Sequence, residues 1–476
     1  MYQPPKLGIG MIFSAALDPF LRRRPEALDV LEIEPQTLWL ADDPITGPFS
    51  EYRPALDAFA ALPQAKLVHS VGVPLGGTRR PDPGQMALIR DTARRLDSPW
   101  VSEHLSVAGT PHRSAGFLLP PLQTDEGVAT AVDNITRFKA GVARPVAVET
   151  GVAYLKRKPF EMPDGQFLAR VAEEADCGLL LDLHNLWCNH VNGRIDFDET
   201  LAQIPFDRVW EVHLAGGDEM GGVWLDSHSG PMPDALAARA REVIADLPNL
   251  GALNFEIYDT FLERLDPVEF DSIVDGLRSI WDGAGQSRSD VRPAVLATVP
   301  DPAETTPEDW ENSLTQAVWT ADPTGHAWSE DHPLLSLYAF LARSFRGSML
   351  TRAMPRTVRY GLLRDEAAFD PKMTAYFNAT PPKMYAPLEA VAFRDWLLDH
   401  GETDPVMLGL LDYDIAFVRL LKETRPQIVT FPGDPGPIFE ALADGRLPKT
   451  PSPPEWELEI LPDATADGFV QSAGAS

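Results

Sequence analysis

Short apolar segments recur at regular intervals through the first 260 residues of the chain. Each runs for about four to eight residues and is rich in Leu and β-branched side chains, as expected of strands buried on both faces of a parallel sheet. The eight predicted strands are LGIGMIF (7–13), DVLEIEP (29–35), KLVHSVGV (66–73), WVSEHLSV (100–107), PVAVETG (145–151), GLLLDLHN (178–185), RVWEVHLAG (208–216) and GALNFEIY (251–258).

Segments with helical periodicity lie between most of these strands. The clearest examples are residues 85–96, 126–142, 165–176 and 233–247. An alternation of strand and helix repeated eight times predicts an α/β fold, a (β/α)₈ TIM barrel spanning residues 1–282. The structural alternative is a doubly wound open sheet, but its usual glycine-rich phosphate turn is missing from this sequence.

A second, smaller domain is predicted after the barrel. Residues 283–306 have the small, proline-rich composition of a linker, and Thr306 to Asp309 (TPED) resembles a helix start. We expect a mostly helical α+β domain over residues 307–462 and a disordered tail over 463–476. The predicted helices are 308–320, 333–346, 387–399 and 411–423. The predicted strands are QIVTF (427–431) and EWELEI (455–460), which flank a further predicted helix near PIFEALADG (437–445).

The net charge, the cysteine count and the length of the apolar runs indicate which kinds of partner to expect. A net charge of −29 weighs against nucleic-acid binding, which depends on neutralising phosphates with basic residues. Two cysteines do not make a disulfide framework. No apolar run has membrane-spanning length, and the start of the chain does not resemble a signal peptide. We therefore expect a cytoplasmic protein without a membrane or nucleic-acid partner.

Polar side chains that can bind metals follow or end six of the predicted strands. Because the active sites of TIM barrels lie at the carboxyl ends of the strands, these side chains are expected to meet at one mouth. The loop sequence WLDSHSG adds two more. The candidates are His69, His104, Glu149, Asp182, Asn185, His213, Asp226, His228 and Glu256, with His184 as an additional candidate.

Strand periodicity supports this convergence. Residues two apart in a strand share a face, which would pair Asp182 with His184, Glu211 with His213, and Asp226 with His228. Ionised carboxylates inside a barrel are costly unless they are paired or bound to a metal. A single histidine at a strand end is more often a core residue, but independent structural explanations for the whole set are improbable. Imidazoles and carboxylates together suit iron, manganese or zinc, and their number favours more than one ion.

The ordered motifs resemble those of the multinuclear non-heme iron-dependent oxidases over residues 5–280. The matching pieces are LVHSVGVPLGG, SEHLS, AVETG, LLLDLHN, EVHLAGG, WLDSHSG and FEIYD. The resemblance implies a TIM barrel with two or three iron ions (Fe²⁺/Fe³⁺). It also implies O₂ as co-substrate and oxidation of a residue, often cysteine, in a ribosomally made precursor peptide.

The same resemblance assigns the ligands. It implies that His69, His104 and Glu149, the expected catalytic residues, hold one iron. His213, Asp182 and Glu256 would help to hold a second, and Asn185, Asp226 and His228 a third. Family members usually work with a separate protein that presents the peptide, so the resemblance suggests that residues 307–462 supply this function in cis. A sheet edge there can bind a leader peptide by strand addition.

The sequence departs from the family pattern at three places. His184 stands where an asparagine is usual, Thr150 follows Glu149 in place of an asparagine, and Glu32 and Glu34 lack the frequent histidine between them. These departures concern the third metal and the chemistry more than the fold.

Two other functions, and other roles for the C-terminal domain, stay open at this point. One function is a divalent-metal-dependent hydrolase or isomerase on a xylose-isomerase-like barrel. The other is a metal-binding protein without catalysis, which the full ligand set argues against. The alternative roles of the C-terminal domain are support of the barrel and a homodimer interface.

Overall fold

The computed structural model describes residues 2–285, 298, 300–303, 305–320, 332–423, 425–449 and 454–461. The eight predicted strands form a closed barrel in which all neighbouring strands are parallel. The first strand pairs with the last, with Gly8 opposite Ala252. The TIM-barrel prediction is confirmed. In chain order, the barrel strands are Gly8–Ile12, Val30–Ile33, Ala65–Ser70, Val101–His104, Val146–Glu149, Gly178–Asp182, Val209–Ala215 and Ala252–Glu256.

Helices connect the strands, and their apolar faces share one core with the outer faces of the strands. The four helices predicted here all form, with ends shifted by up to two residues. The α-helices are Asp18–Arg23, Arg53–Ala60, Pro83–Arg95, Asp125–Val142, Asp164–Glu174, Leu183–Val191, Phe197–Gln203, Asp234–Ala245, Asp259–Leu262 and Pro267–Trp281. Short 3₁₀ turns cover Ala15–Leu17, Pro35–Leu38 and Phe206–Arg208.

The connections after three barrel strands contain hairpins that the sequence patterns do not reveal. Their strands have three to seven residues, too few for most of them to show an alternating pattern. They follow the second, fourth and seventh barrel strands, on the side where the strands end. The paired strands are Trp39–Ala41 with Phe49–Glu51, Val107–Thr110 with Arg113–Leu119, and Asp218–Met220 with Val223–Leu225.

The barrel interior changes from apolar to polar along the strands. A small apolar cluster includes Val30, Leu67, Ala147 and Leu180, all of them buried. Each precedes a polar residue by two positions, and residues two apart share a face of a strand. The polar residues therefore stand one layer nearer the mouth. His69, Glu149 and Asp182 are the three nearest the mouth, and Glu32 stands deeper, opposite Leu67 of the neighbouring strand.

The predicted strand 178–185 ends earlier than expected, which corrects one argument from periodicity. The strand stops at Asp182, and a helix begins at Leu183. Asp182 caps this helix, because one of its carboxylate oxygens accepts a hydrogen bond from the backbone N–H of Asn185 at 2.8 Å. His184 therefore lies in the first turn of a helix and not on a strand face shared with Asp182. Asp226 and His228 likewise lie in a loop and not on a strand.

The C-terminal region, defined here by its described residues within 307–461, is mostly helical with one two-stranded antiparallel sheet. The predicted helices and both predicted strands form, but one further helix, Pro355–Ala379, was missed. It is kinked at Asp365, and Pro371 lies inside it. The α-helices are Pro307–Thr320, His332–Ala353, Pro355–Ala379, Ala386–Asp399, Pro405–Leu420 and Gly436–Ala443, and the strands are Gln427–Phe431 and Trp456–Ile460.

Two apolar clusters organise this region. One lies within it, between Leu350 and Ile460. The other joins its first two helices to the barrel, through Trp310 and Tyr338 on one side and Leu122 and Leu225 on the other. The division into domains at 282 and 307 stays a prediction. The expected linker lies mostly outside the described residues, and the expected tail lies wholly outside them.

None of the helices in the described part of the chain combines the length and apolar composition needed to cross a membrane.

Candidate metal centre

Three predicted ligands meet at the ends of the third, fourth and fifth barrel strands. His69 Nε2 and His104 Nε2 each lie 3.4 Å from the same oxygen of Glu149. His69 Nδ1 lies 2.9 Å from the hydroxyl of Ser102. When Nδ1 carries the proton and donates a hydrogen bond to Ser102, Nε2 presents its lone pair to the cluster. This is the tautomer of a neutral imidazole that can bind a metal through Nε2.

Glu149 also belongs to a second group of ligand atoms. One atom each from Glu149, Asp182 and His213 lie within 4.8 Å of one another, as do one atom each from His69, His104 and Glu149. The carboxylate of Glu149 is therefore common to both groups. Its other oxygen accepts a hydrogen bond from the side-chain amide of Asn185 at 3.1 Å. The structure thus brings these six predicted residues together around one buried carboxylate.

The remaining predicted residues stand beside this cluster, toward the loop after the seventh strand. His228 Nε2 lies 2.9 Å from Asp226 Oδ1 and 3.1 Å from Glu256 Oε2. The other oxygen of Glu256 lies 3.0 Å from His213 Nδ1. Glu256 therefore connects the loop residues to the strand residues.

The two ring nitrogens of His184 contact Asp226 and Trp224, and neither faces Glu149. Its Nδ1 lies 3.0 Å from Asp226 Oδ1, and its Nε2 accepts a hydrogen bond from the indole N–H of Trp224 at 3.4 Å. This arrangement favours a role in orienting Asp226 over direct binding of a metal.

A polar layer deeper in the barrel was not assigned a role from the sequence. Glu32, Glu211 and Asn254 are fully buried. Asn254 donates hydrogen bonds to both carboxylates, at 3.2 Å to Glu32 and 2.7 Å to Glu211, and Trp100 donates to Glu211 at 2.8 Å. Glu32 Oε2 lies 2.8 Å from His213 Nε2. The sequence signal for this layer is a polar residue inside an apolar strand, as in VLEI, VWEVH and ALNFE.

Burial and mutual repulsion raise the pKa values of several carboxyl groups in the cluster. Burial raises the pKa of Glu149 to about 8, although His104 opposes this shift. Burial and the nearby Glu256 raise the pKa of Asp182 to about 6. Burial and Glu211 raise the pKa of Glu32 well above its usual range. These groups therefore bind protons more strongly than exposed carboxylates do.

The pKa values of the imidazoles are shifted in opposite directions. Burial and the neighbouring His104 hold the pKa of His69 well below its usual range, so this ring is neutral. Burial opposes the charge on His104, but Glu149 raises its pKa to about 9. Burial likewise opposes the charge on Glu256, but His228 lowers the pKa of that carboxyl group to about 2. The cluster thus combines groups that retain a proton with close ion pairs.

The residues present fit a bound cation. Polar atoms that are buried but make no hydrogen bond are rare in proteins, and several of them meet here. Nitrogen and carboxylate oxygen donors in such a set suit iron, manganese or zinc. The atoms without a hydrogen-bond partner include Glu149 Oε2, Asp182 Oδ2, Asn185 Oδ1, His228 Nε2 and both ring nitrogens of His213.

Comparison with known proteins assigns the barrel to a family. A family model described as "RiPP precursor modification enzyme MbnB/TglH/ChrH" matches residues 7–260. The chain belongs to this family. Family members modify precursor peptides, and the matched range contains all ten candidate ligands and both strands that close the barrel. The recognition of the family from its motifs is confirmed.

Curated relatives include several that are named UPF0276 protein. One from Streptomyces avermitilis is 34% identical over 234 residues, which is 47% of each chain. One from Chromobacterium violaceum is 36% identical over 177 residues, 37% of this chain and 64% of the relative. The chain thus spans about half the length of the first relative and less than two thirds of the second.

Solved structures with related architecture include D-allulose 3-epimerase from Methylomonas sp. It is 15% identical, with a TM-score of 0.37, over 60% of this chain and 96% of that one. A D-psicose 3-epimerase is 11% identical, with a TM-score of 0.39, over 59% of this chain and 99% of that one. Likeness at this level carries no information about the reaction.

Replacement of Glu149 by glutamine should remove the charge shared by the two groups of ligands while preserving the volume of the side chain. We expect the affinity for Fe²⁺ or Mn²⁺ to fall by at least ~10-fold, since loss of a residue that only supports a ligand already costs about 10–100-fold. Competition with a chelator under anaerobic conditions measures this affinity. Glu161→Gln is the control, because Glu161 is also buried but accepts hydrogen bonds from Lys158 and Gln123 outside the cluster. Unchanged affinity in the Glu149 variant would contradict the shared role.

Metal affinity should rise with pH. Asp182, Glu149 and His104, with pKa values of about 6, 8 and 9, must each lose a proton before they bind a metal. Protons therefore compete with the metal below these values and are released as it binds. Titration with Mn²⁺ at about pH 6 and about pH 9 should give tighter binding at the higher pH, with proton uptake by the buffer. Affinity that is constant or falls with pH would show that these groups are not ligands.

Proposed function

We propose that this chain is a multinuclear non-heme iron enzyme that uses O₂ to oxidise a residue, most suitably cysteine, of a ribosomally synthesised precursor peptide. Membership of a family of precursor-modifying enzymes supports the class of substrate. The observation that carries the metal assignment is the sharing of Glu149 between two buried groups of ligand atoms. A carboxylate in that position is suited to lie between two cations.

Each group of residues has a distinct role in this proposal. His69, His104 and Glu149 hold one iron and form the catalytic set. Asp182, His213 and Glu256 hold its neighbour. A third ion would have the proposed ligands Asn185, Asp226 and His228. Asn185 donates a hydrogen bond to Glu149, which supports a position for this third ion close to the first two. His184 orients Asp226 through their contact at 3.0 Å.

Iron, when bound, supplies one-electron chemistry together with positions for O₂ and for a substrate thiolate, which is a good iron ligand. The residues of the chain supply the surroundings of that chemistry. Ser102 fixes the ring of His69, and the deep layer of Glu32, Glu211 and Asn254 lies against His213.

A hydrolase or isomerase on a similar barrel receives no specific support. The family match favours peptide modification, and the epimerase structures resemble this chain too weakly to argue for sugar chemistry.

Metal analysis of protein purified without oxygen tests the proposal. We expect iron in excess of one ion per chain, and O₂ uptake when a cysteine-containing candidate precursor peptide, taken from a short reading frame next to the gene, is added. Mass spectrometry should then find a change of mass at one residue of the peptide, and the Cys→Ser peptide should stay unmodified. Stoichiometric zinc without iron, combined with no O₂ uptake on adding the peptide, would refute the proposal.

The C-terminal region is proposed as the leader-binding partner, fused in cis. Its two-stranded sheet supports this role, since among the described residues each strand pairs only with the other and keeps an open edge. Ile428 is 68% exposed on this sheet. Covalent attachment would raise the local concentration of the bound peptide at the barrel. A homodimer interface is the alternative use of this surface.

Ile428→Asp should weaken leader binding without unfolding the protein, because the side chain is exposed. We expect at least a ~10-fold loss of affinity, equivalent to about 1.4 kcal/mol, in the fluorescence anisotropy of a labelled precursor peptide. Val268→Asp is the matched control, since Val268 is 75% exposed on a helix of the barrel. Equal affinity of both variants would exclude this sheet as the docking site, and a change in oligomeric state would favour the dimer interface.

A further inference from the structure

The loop that carries Asp226 and His228 has no helix or strand after Leu225. His228 and Gly230 both have positive φ angles, of 45° and 62°. The carboxylate of Asp226 nevertheless lies 3.0 Å from His184 Nδ1 and 2.9 Å from His228 Nε2. A loop lacks the repeating backbone hydrogen bonds of a helix or strand, so contacts with other segments contribute to fixing its backbone.

The backbone of Asp226 is fixed by a tyrosine from a different loop. The N–H of Asp226 donates a hydrogen bond to Tyr154 Oη at 3.1 Å. Tyr154 follows the fifth barrel strand in a stretch, residues 151–158, that also has no helix or strand. Asn189 of the barrel accepts a hydrogen bond from the N–H of Ala153 at 2.8 Å, and Arg194 donates to the carbonyl of Leu155 at 2.6 Å. The amide of Tyr154 itself has its anchor elsewhere.

That anchor comes from the C-terminal region. The N–H of Tyr154 donates to Tyr338 Oη at 3.0 Å, and the two rings meet edge to face with centroids 5.4 Å apart. Tyr338 is fully buried in the helix His332–Ala353. It packs in the apolar cluster that also contains Leu225, the residue before Asp226. The family match ends at residue 260, so Tyr338 lies outside the part of the chain that defines the family.

We propose that Tyr338 and Tyr154 form a positioning relay through which the C-terminal region holds Asp226 in place for metal binding. The inference rests on the proposed role of Asp226 as a metal ligand. It gives the C-terminal region a function at the metal centre that is separate from peptide binding. Neither tyrosine touches a metal or substrate in this proposal, and both act through the backbone of Asp226.

Contacts within the barrel hold the neighbouring residues but not this amide. Asn192 exchanges two hydrogen bonds with the backbone of Trp224, each of 2.8 Å. Ser229 is held by a backbone hydrogen bond to Gly216. Between these two fixed points, the hydrogen bond of the Asp226 amide goes to Tyr154. Loss of either tyrosine hydroxyl would therefore make the backbone more mobile at Asp226, the proposed ligand.

Conservative variants of the full-length protein test the relay. Tyr154→Phe removes the acceptor for the Asp226 amide, and Tyr338→Phe removes the acceptor for the Tyr154 amide, while both keep the ring. We expect each variant to bind Fe²⁺, measured anaerobically by chelator competition, about 10-fold more weakly than the unaltered protein, the lower range for loss of a supporting residue. The double variant should bind no more weakly than Tyr154→Phe, because the two hydroxyls act in series. Hydrogen exchange over residues 223–229 should be faster in both.

Tyr376→Phe is the matched control for a purely structural effect. Tyr376 is also a fully buried tyrosine of the C-terminal region, but its hydroxyl donates to the backbone oxygen of Glu389 at 3.3 Å. We expect this variant to keep the metal affinity and the exchange rate of the unaltered protein. The relay is refuted if Tyr338→Phe binds metal normally, or if Tyr376→Phe loses the same affinity.

A second probe, Mn²⁺, separates this inference from the proposed function. An unaltered protein that binds Mn²⁺ but not Fe²⁺ refutes the iron proposal, while the comparison of variants with Mn²⁺ still decides the relay. An unaltered protein that binds neither ion overturns both.

Discussion

Carboxylates and imidazoles that meet inside a barrel must neutralise one another, because an isolated buried charge costs several kcal/mol. In this chain the requirement is met by short contacts between opposite charges and by carboxyl groups whose raised pKa values let them keep a proton. His228 lies between Asp226 and Glu256, and Glu149 lies between two imidazoles. The apolar layer beneath the cluster excludes water from below, which strengthens these contacts and raises the cost of losing any one of them.

The barrel could be predicted from the sequence because its strands are buried on both faces and therefore appear as continuous apolar runs. The candidate ligands at the strand ends were proposed for a related reason, since a charged residue ending such a run has few structural explanations. Periodicity failed at His184, where the side chain of Asp182 caps a helix and ends the strand early. The cap is a side-chain hydrogen bond to the backbone, and hydrophobic patterns do not report such contacts.

Other features depend on contacts distant in sequence. Glu32, Glu211 and Asn254 come from three strands, so their hydrogen-bonded layer becomes visible only when the barrel closes. The helix Pro355–Ala379 was missed because its kink at Asp365 and the internal Pro371 interrupt the periodicity. Similarly, Tyr154 and Tyr338 are separated by 184 positions and carry no motif that associates them. The apolar cluster around Tyr338 also shows that the barrel and the C-terminal region share packing, although the family match covers only the former.

The membership of Glu149 in two groups of ligand atoms has a thermodynamic consequence. A cation that enters either group changes the charge and the protonation of a carboxylate that the other group also uses. The two positions are therefore linked, and the factor by which one ion alters the affinity for the second must equal the factor in the reverse direction. The metal affinity of either position can therefore be defined only when the occupancy of the other position is stated.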